Sequence, residues 1–225
     1  MKAPRSFVPH RLAVAVALAL SGPSAVAAVV CTVSEPSDDG TGKTTNSLSW
    51  AIMTANNGKT PSTPNPSSHP GEGCTNNTIT LTTDVTLKGV MRRLIDSDVT
   101  LQSDSTTRTI SGDKLYRPLF VKSGTVAIKN LALSNGQAKG GDASDGVGGG
   151  GAGLGGALFV YDGKVTVENV RFTGNNATGG QFQGIYIGGG GGGMFGTGAY
   201  GGGGLFEDGT GYDGGYGGTG AYGGY

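Results

Sequence analysis

Leu119-Phe120-Val121-Lys122-Ser123-Gly124-Thr125-Val126-Ala127-Ile128-Lys129-Asn130-Leu131-Ala132-Leu133-Ser134 returns later in the chain as Leu158-Phe159-Val160-Tyr161-Asp162-Gly163-Lys164-Val165-Thr166-Val167-Glu168-Asn169-Val170-Arg171-Phe172-Thr173. Laid over each other without a gap, 119–141 and 158–180 share the opening Leu-Phe-Val. They also match Gly124 with Gly163, Val126 with Val165, Asn130 with Asn169, Ala138 with Ala177 and Gly140-Gly141 with Gly179-Gly180. Conservative pairs fill much of the rest: Ile128 with Val167, Leu131 with Val170, Leu133 with Phe172.

Within each copy the apolar residues alternate at period two on both sides of an asparagine, the signature of two short strands joined at a corner. Val126 and Ile128 point inward, Asn130 turns the chain, and Leu131 and Leu133 point inward again. A unit of this kind cannot bury its apolar face alone, so copies must stack as successive coils. Asparagine suits the corner because it tolerates a left-handed backbone and can satisfy nearby backbone groups with its amide. Coils stacked at the ~4.8 Å strand spacing place Asn130 and Asn169 in an asparagine ladder, with Lys129 and Glu168 facing each other outside. The competing reading is two unrelated hairpins of a β-sandwich, which does not explain why the registers agree over the whole length.

Upstream the same alternation recurs in Ile79 and Leu81, Val85 and Leu87, Val99 and Leu101, and Ile110, short strands separated by turns. Ahead of them, Leu48 to Ala55 carry apolar residues at helical spacing. Ser47 serves as N-cap, and Asn56, Asn57 and Gly58 stop the helix. One short helix before a run of strands is expected to cover the end of the stack. The segment from Thr60 to Cys74, with Pro61, Pro64, Pro66 and Pro70, reads as a surface loop. Residues 139–154, mostly glycine, read as a loop bulging from one corner.

The first residues carry Lys2, Arg5 and Arg11, an apolar run from Leu12 to Leu20, and the small triplet Ala25-Val26-Ala27. This is the layout of a cleaved export signal over 1–27, and the run is too short for the ~20 residues of a membrane span. No transmembrane helix is expected. The leader takes three of the 16 basic side chains with it and none of the 16 acidic ones, so the mature chain is mildly acidic. That argues against nucleic acid as a partner.

In an oxidising compartment, Cys31 and Cys74 read most economically as a disulfide, stabilising by roughly 4 kcal/mol on the chain-entropy model. They are too few for a structural zinc site and lack C-x-x-C spacing. From 181 to 225 the chain is glycine and tyrosine with few large apolar groups to offset the entropy of ordering, which predicts a flexible low-complexity tail. The stack itself is expected over 28–180.

Two further motifs stand in order, Gly155-Gly156-Ala157-Leu158 and Phe172-Thr173-Gly174-Asn175. They resemble the paired G-G-A-[ILV] and F-x-x-N motifs of polymorphic outer-membrane proteins. Together with Cys31, the helix from Ser47 to Asn57, Thr78-Ile79-Thr80-Leu81, Thr109-Ile110-Ser111-Gly112 and the two repeats, the layout from Cys31 to Gly180 is similar to bacterial right-handed parallel β-helix proteins of the pectate-lyase-like fold, autotransporter passengers in particular. The resemblance implies an all-β stack with an N-terminal capping helix, placed at the cell surface, in the outer membrane or outside the cell. It implies roles in display or adhesion toward host or matrix glycans or proteins. The sequence departs from the family in leaving room for about five or six coils and in showing no amphipathic barrel strands after them. The reading leans toward a chain that continues into further coils or a β-barrel translocator.

The same fold hosts polysaccharide lyases and glycoside hydrolases, so catalysis was weighed against Asp84, Asp96, Asp98, Asp104 and Asp113, with Arg92, Arg93 and Arg108 as partners. A lyase needs clustered carboxylates for calcium and a placed base, and a glycosidase needs two carboxyls at a defined separation. Asp96 and Asp98 alternate as on one strand face and could meet a cation, yet acids beside turns are more often solvated. His10 lies in the leader and His69 in the proline-rich loop, which leaves no histidine constellation. The expectation is no catalytic set, no metal and no cofactor. A polysaccharide-active enzyme and a purely structural fragment are the alternative functions.

Overall fold

The computed structural model describes residues 29–57, 73–141 and 151–181. The leader, most of the proline-rich loop, the middle of the glycine-rich loop and the Gly/Tyr tail lie outside the described residues. So do Gly58, His10 and His69.

The chain makes a series of laps. The first contains β1 (Val29–Val33), β2 (Ser37–Asp38) and α1 (Leu48–Asn57); the second β3 (Cys74–Leu81), β4 (Val85–Leu87) and β5 (Ile95–Asp96). The third contains β6 (Val99–Ser103), β7 (Arg108–Ser111) and β8 (Leu119–Ser123). The fourth has β9 (Thr125–Lys129), β10 (Leu131–Ser134), β11 (Gln137–Lys139) and β12 (Leu158–Val160); the fifth has β13 (Lys164–Glu168), β14 (Arg171–Thr173) and β15 (Asn176–Thr178).

Strands pair with the equivalent strand of the neighbouring lap, never with the next strand in sequence. The first face is the sheet β1-β3-β6-β9-β13, the second β2-β4-β7-β10-β14, the third β5-β8-β12, with β11-β15 as a short strip between the second and third. All of these pairings are parallel. Hairpins are antiparallel, so the sandwich alternative does not describe these residues. The architecture is mostly β, built of parallel sheets around one core, and is consistent with a β-helix.

Each face stacks like on like. On the first, Ile79, Leu101 and Ile128 are partners in consecutive laps; on the second, Val85, Ile110 and Leu133; on the third, Ile95 and Val121. All are buried. Full burial of each such side chain stabilises by about 1.5–3 kcal/mol, and the columns join in one continuous cluster.

The helix α1 occupies the place of the first lap's third face and packs on β1, β3 and β5. Ser47 is its N-cap: its hydroxyl accepts from Trp50 N at 3.2 Å and its carbonyl from Ala51 N at 3.0 Å. Leu48, Ala51, Ile52 and Ala55 bury into the stack, which covers the first end of the core. The helix ends at Asn57, within the Asn56-Asn57-Gly58 stretch expected to stop it. Asn56 is held there by the lap beneath, donating to Leu94 O at 2.7 Å and accepting from Asp96 N at 2.9 Å.

A polar anchor missing from the sequence reading fixes the helix entry. Asp38, at the end of β2, is 2% exposed. Its carboxylate accepts from Gly40 N at 2.7 Å, from Ser49 Oγ at 2.6 Å and from Ser49 N. Ser49 Oγ in turn accepts from Gly42 N at 2.9 Å. A carboxylate against the first turn of a helix also meets the positive end of its dipole.

Cys31 and Cys74 form a disulfide with a Cα–Cα distance of 5.4 Å, tying β1 to β3 at the first end of the stack. With a sequence separation of 43 the chain-entropy contribution is about 4 kcal/mol.

Two outcomes follow from this geometry. Asp38→Ala leaves two buried amides and a hydroxyl without their acceptor and is expected to lower stability by about 2–4 kcal/mol in chemical denaturation; a cost under about 0.5 kcal/mol would mean that the helix entry is held elsewhere. Reduction of Cys31–Cys74 is expected to release amide exchange in β1 and β3 before β9 and β10, and simultaneous release along the whole stack would contradict a local role for the cross-link.

Candidate functional site

The corners of the stack hold most of its specific polar chemistry. Asn130 and Asn169 both adopt the left-handed conformation, with φ of 54° and 52°. The Asn169 Nδ2 donates to Asn130 Oδ1 at 2.9 Å, one rung of a ladder between the fourth and fifth laps. Below that rung the third lap places Ser103, whose hydroxyl is buried and donates to Asn130 O at 2.6 Å. Lys129 and Glu168 are register partners on the outside, 3.4 Å apart, a half-exposed pair worth at most about 1 kcal/mol.

The two glycine-containing motifs meet at a second corner. Asn175 Oδ1 accepts from Gly136 N at 2.7 Å, while its Nδ2 donates to Leu133 O at 2.8 Å, so one side chain of the fifth lap satisfies two backbone groups of the fourth. Gly112, Gly136 and Gly156 form a column beside it. A Cβ on Gly112 would come within 2.7 Å of Gly136 Cα, and one on Gly136 within 2.2 Å of Gly156 O. Gly155 sits at φ 60°, Ala157 is buried in the core cluster, and Leu158 pairs with Leu119. Phe172 is 49% exposed on the outermost lap. Both motifs are thus stacking devices of one corner.

Arg117, which the sequence reading did not single out, clamps the return of the glycine-rich loop. Its Nε donates to Gly155 O at 2.8 Å and its Nη2 to Leu154 O at 2.7 Å. The guanidinium lies 5.8 Å from the Phe120 ring centroid and 5.5 Å from that of Phe159. Burial pushes its pKa down to about 10, which still leaves it charged at neutral pH. The loop leaves and re-enters the stack at one point, where Gly151 N donates to Gly141 O at 2.8 Å.

The acids weighed for catalysis are dispersed over the stack, and each binds a neighbouring group. Asp84 accepts from Thr109 N at 2.8 Å and Asp98 from Thr125 N at 2.7 Å, each joining its own lap to the next. Asp96 accepts from Ser123 Oγ and lies 3.4 Å from Lys122 Nζ; Asp113 lies 2.8 Å from Lys88 Nζ. Arg108 grips Asp104 with two nitrogens at 3.0 and 2.7 Å, and this bond, helped by Thr106 N, holds the Asp104 carboxyl down to about 2. Arg93 donates to Thr41 O at 2.9 Å, while Arg92 donates through its backbone N to Gly40 O at 3.1 Å. Asp96 ends β5 and Asp98 lies between β5 and β6, after a bend at Ser97, so the two do not share a strand face as their spacing suggested. Among the described residues no three His, Cys, Asp or Glu side chains converge as metal ligands. No described helix is long and apolar enough to cross a membrane.

Compared with known protein families, curated protein sequences and solved structures, the chain matches none.

The corner geometry generates one expected outcome. Asn175→Ala strands an N–H and a carbonyl of the lap beneath and is expected to cost about 1–3 kcal/mol, whereas Asn169→Ala, on the exposed last lap, is expected to cost less. Equal midpoints for the two variants in urea denaturation would contradict this assignment.

Proposed function

We propose that the chain is an exported, non-catalytic right-handed parallel β-helix, a passenger whose outer faces serve surface display or adhesion. Right-handedness rests on the strong preference of parallel strand crossovers for that hand. Export rests on the leader-like first 27 residues and on the disulfide, which belongs to an oxidising compartment.

The observation that carries the non-catalytic reading is where the carboxylates go. Asp84 and Asp98 bind backbone amides of the next lap, and Asp104 is saturated by Arg108. A hydrolase or lyase needs carboxyls free to face a substrate. The outward positions present a regular polar surface instead. On the second face Ser37, Thr86, Ser111, Ser134 and Thr173 are register partners through five laps, an uninterrupted column of hydroxyls. Such a face offers repeated hydrogen-bonding positions suited to extended glycans or protein surfaces of host or matrix.

Expression of the full chain in a Gram-negative host tests both halves of the proposal. The expected product is found outside the cytoplasm, begins at Ala28 by intact mass, and binds members of a glycan and matrix-protein panel without generating new reducing ends from acidic polysaccharides. A cytoplasmic product with an uncleaved leader would overturn export, and polysaccharide cleavage would overturn the non-catalytic reading in favour of the enzyme.

A further inference from the structure

The second and third laps pass from the second face to the third through turns at 88–94 and 112–118. Each turn leaves one large apolar side chain in solvent: Val90 is 58% exposed and Leu115 65%. The two stand at the same offset from the register pair Thr86–Ser111, so they occupy equivalent places in consecutive laps. The side chain after each goes inward, Met91 into the buried cluster and Tyr116 against it. Val90 and Leu115 are therefore outward positions of turns whose inward positions are already filled.

The backbone that presents them is fixed. Lys88 N donates to Asp38 O at 2.7 Å, Arg92 N to Gly40 O at 3.1 Å and Lys114 N to Asn135 O at 2.7 Å. Asp113 and Lys114 hold φ of 55° and 61°, left-handed values that glycine adopts at less cost. The turn thus keeps a lysine beside Leu115 where the backbone favours glycine.

Charge around the apolar pair is basic, although the mature chain is mildly acidic. Lys43, Lys88, Arg92, Arg93 and Lys114 lie in these two turns and in the first lap's turn at 39–47, against the exposed acids Asp39 and Asp113. Both acids are engaged. Asp113 is bonded to Lys88 Nζ at 2.8 Å, while hydrogen bonds from Thr41 first, and the charges of Lys43 and Arg92 after them, hold the Asp39 carboxyl below its ordinary range. Arg93 joins the first two turns by donating to Thr41 O at 2.9 Å. Lys43, Arg92 and Lys114 are exposed.

We propose that this corner docks the protein on an anionic lipid membrane, with Val90 and Leu115 entering the interface and Lys43, Arg92 and Lys114 meeting lipid phosphates. A bilayer surface uses both features at once: its interface takes up apolar tips, and its anionic headgroups attract each nearby Lys or Arg. An acidic polysaccharide would use the charges and leave the aliphatic pair in water. A protein partner would find too little apolar area in two side chains, since a stable interface buries roughly 1,200 Å² or more. No described helix is long and apolar enough to cross a membrane, so the contact is peripheral. This inference goes beyond display and adhesion and does not rest on export.

Co-sedimentation with vesicles tests it, using the chain from Ala28 onward so that the basic, apolar first residues cannot themselves bind lipid. Vesicles of phosphatidylcholine with phosphatidylglycerol are expected to bind at least about tenfold more tightly than phosphatidylcholine alone, and salt is expected to weaken the binding. Lys43→Gln, Arg92→Gln and Lys114→Gln together are expected to weaken binding at least about tenfold, whereas Lys122→Gln, Lys129→Gln and Lys164→Gln, an equal loss of charge elsewhere on the stack, leave it within about twofold. Val90→Ser with Leu115→Ser is expected to weaken it at least about fivefold with the salt dependence and the melting of the stack unchanged. Equal effects of the two charge triples would reduce the binding to net charge and overturn the proposal. So would a Val90→Ser, Leu115→Ser variant that binds as the parent does while soluble heparin competes fully, an outcome that would make the corner a polyanion site instead.

Discussion

Burial between laps is the constraint on which the structure depends. No lap has an interior of its own: Leu101 is covered because Ile79 lies on one side of it and Ile128 on the other. The stability of any lap is therefore a property shared with its neighbours, as in other linear repeat architectures. That makes the two ends the critical places. At the first end α1 supplies apolar side chains in place of a strand, and the Cys31–Cys74 bond ties the first lap to the second where only one neighbour is available. At the other end no comparable cover lies among the described residues, and Val167 and Phe172 stand half-exposed.

Polar groups follow the same vertical logic. Asp84, Asp98, Asn175 and Ser103 each bind the backbone of an adjacent lap, so hydrogen bonds at the corners run parallel to the stacking direction as the sheet ladders do. Acids scattered along the laps invite a search for a catalytic pair, yet carboxylates at corners have a structural task close at hand: satisfying an N–H left over where a strand turns. Asp38 is the extreme case, fully enclosed and spent on the helix entry.

How much of this was legible depended on range. The ungapped match of Leu119 with Leu158 and of Asn130 with Asn169 encodes parallel register directly, because stacked residues are equivalent residues, and the structure pairs those positions in that register. The helix cap at Ser47 was legible because its partner is three residues away. Asp38 was not, since its partner Ser49 is eleven residues off and belongs to another element, and no local pattern distinguishes it from the exposed Asp39 beside it. Arg117 escaped for the same reason: its partners Leu154 and Gly155 lie beyond a glycine-rich loop. The helix end at Asn57 was legible in the Asn56-Asn57-Gly58 stretch, but the binding of Asn56 to Leu94 and Asp96 was not, since both partners lie some forty residues further along the chain. Function was the least legible, since the positions that would contact a partner face outward and are free of the packing that makes inward positions readable.

The neck where the glycine-rich loop leaves and rejoins the stack carries an evolutionary consequence. Gly141 and Gly151 are hydrogen-bonded to each other, and Arg117 fastens the returning strand, so the lap closes whatever length of chain lies between them. Insertions and deletions there leave every strand register untouched. That corner is where such a protein can acquire or lose a whole recognition element in one genetic step, while the column of Gly112, Gly136 and Gly156 beside it cannot accept a single methyl group.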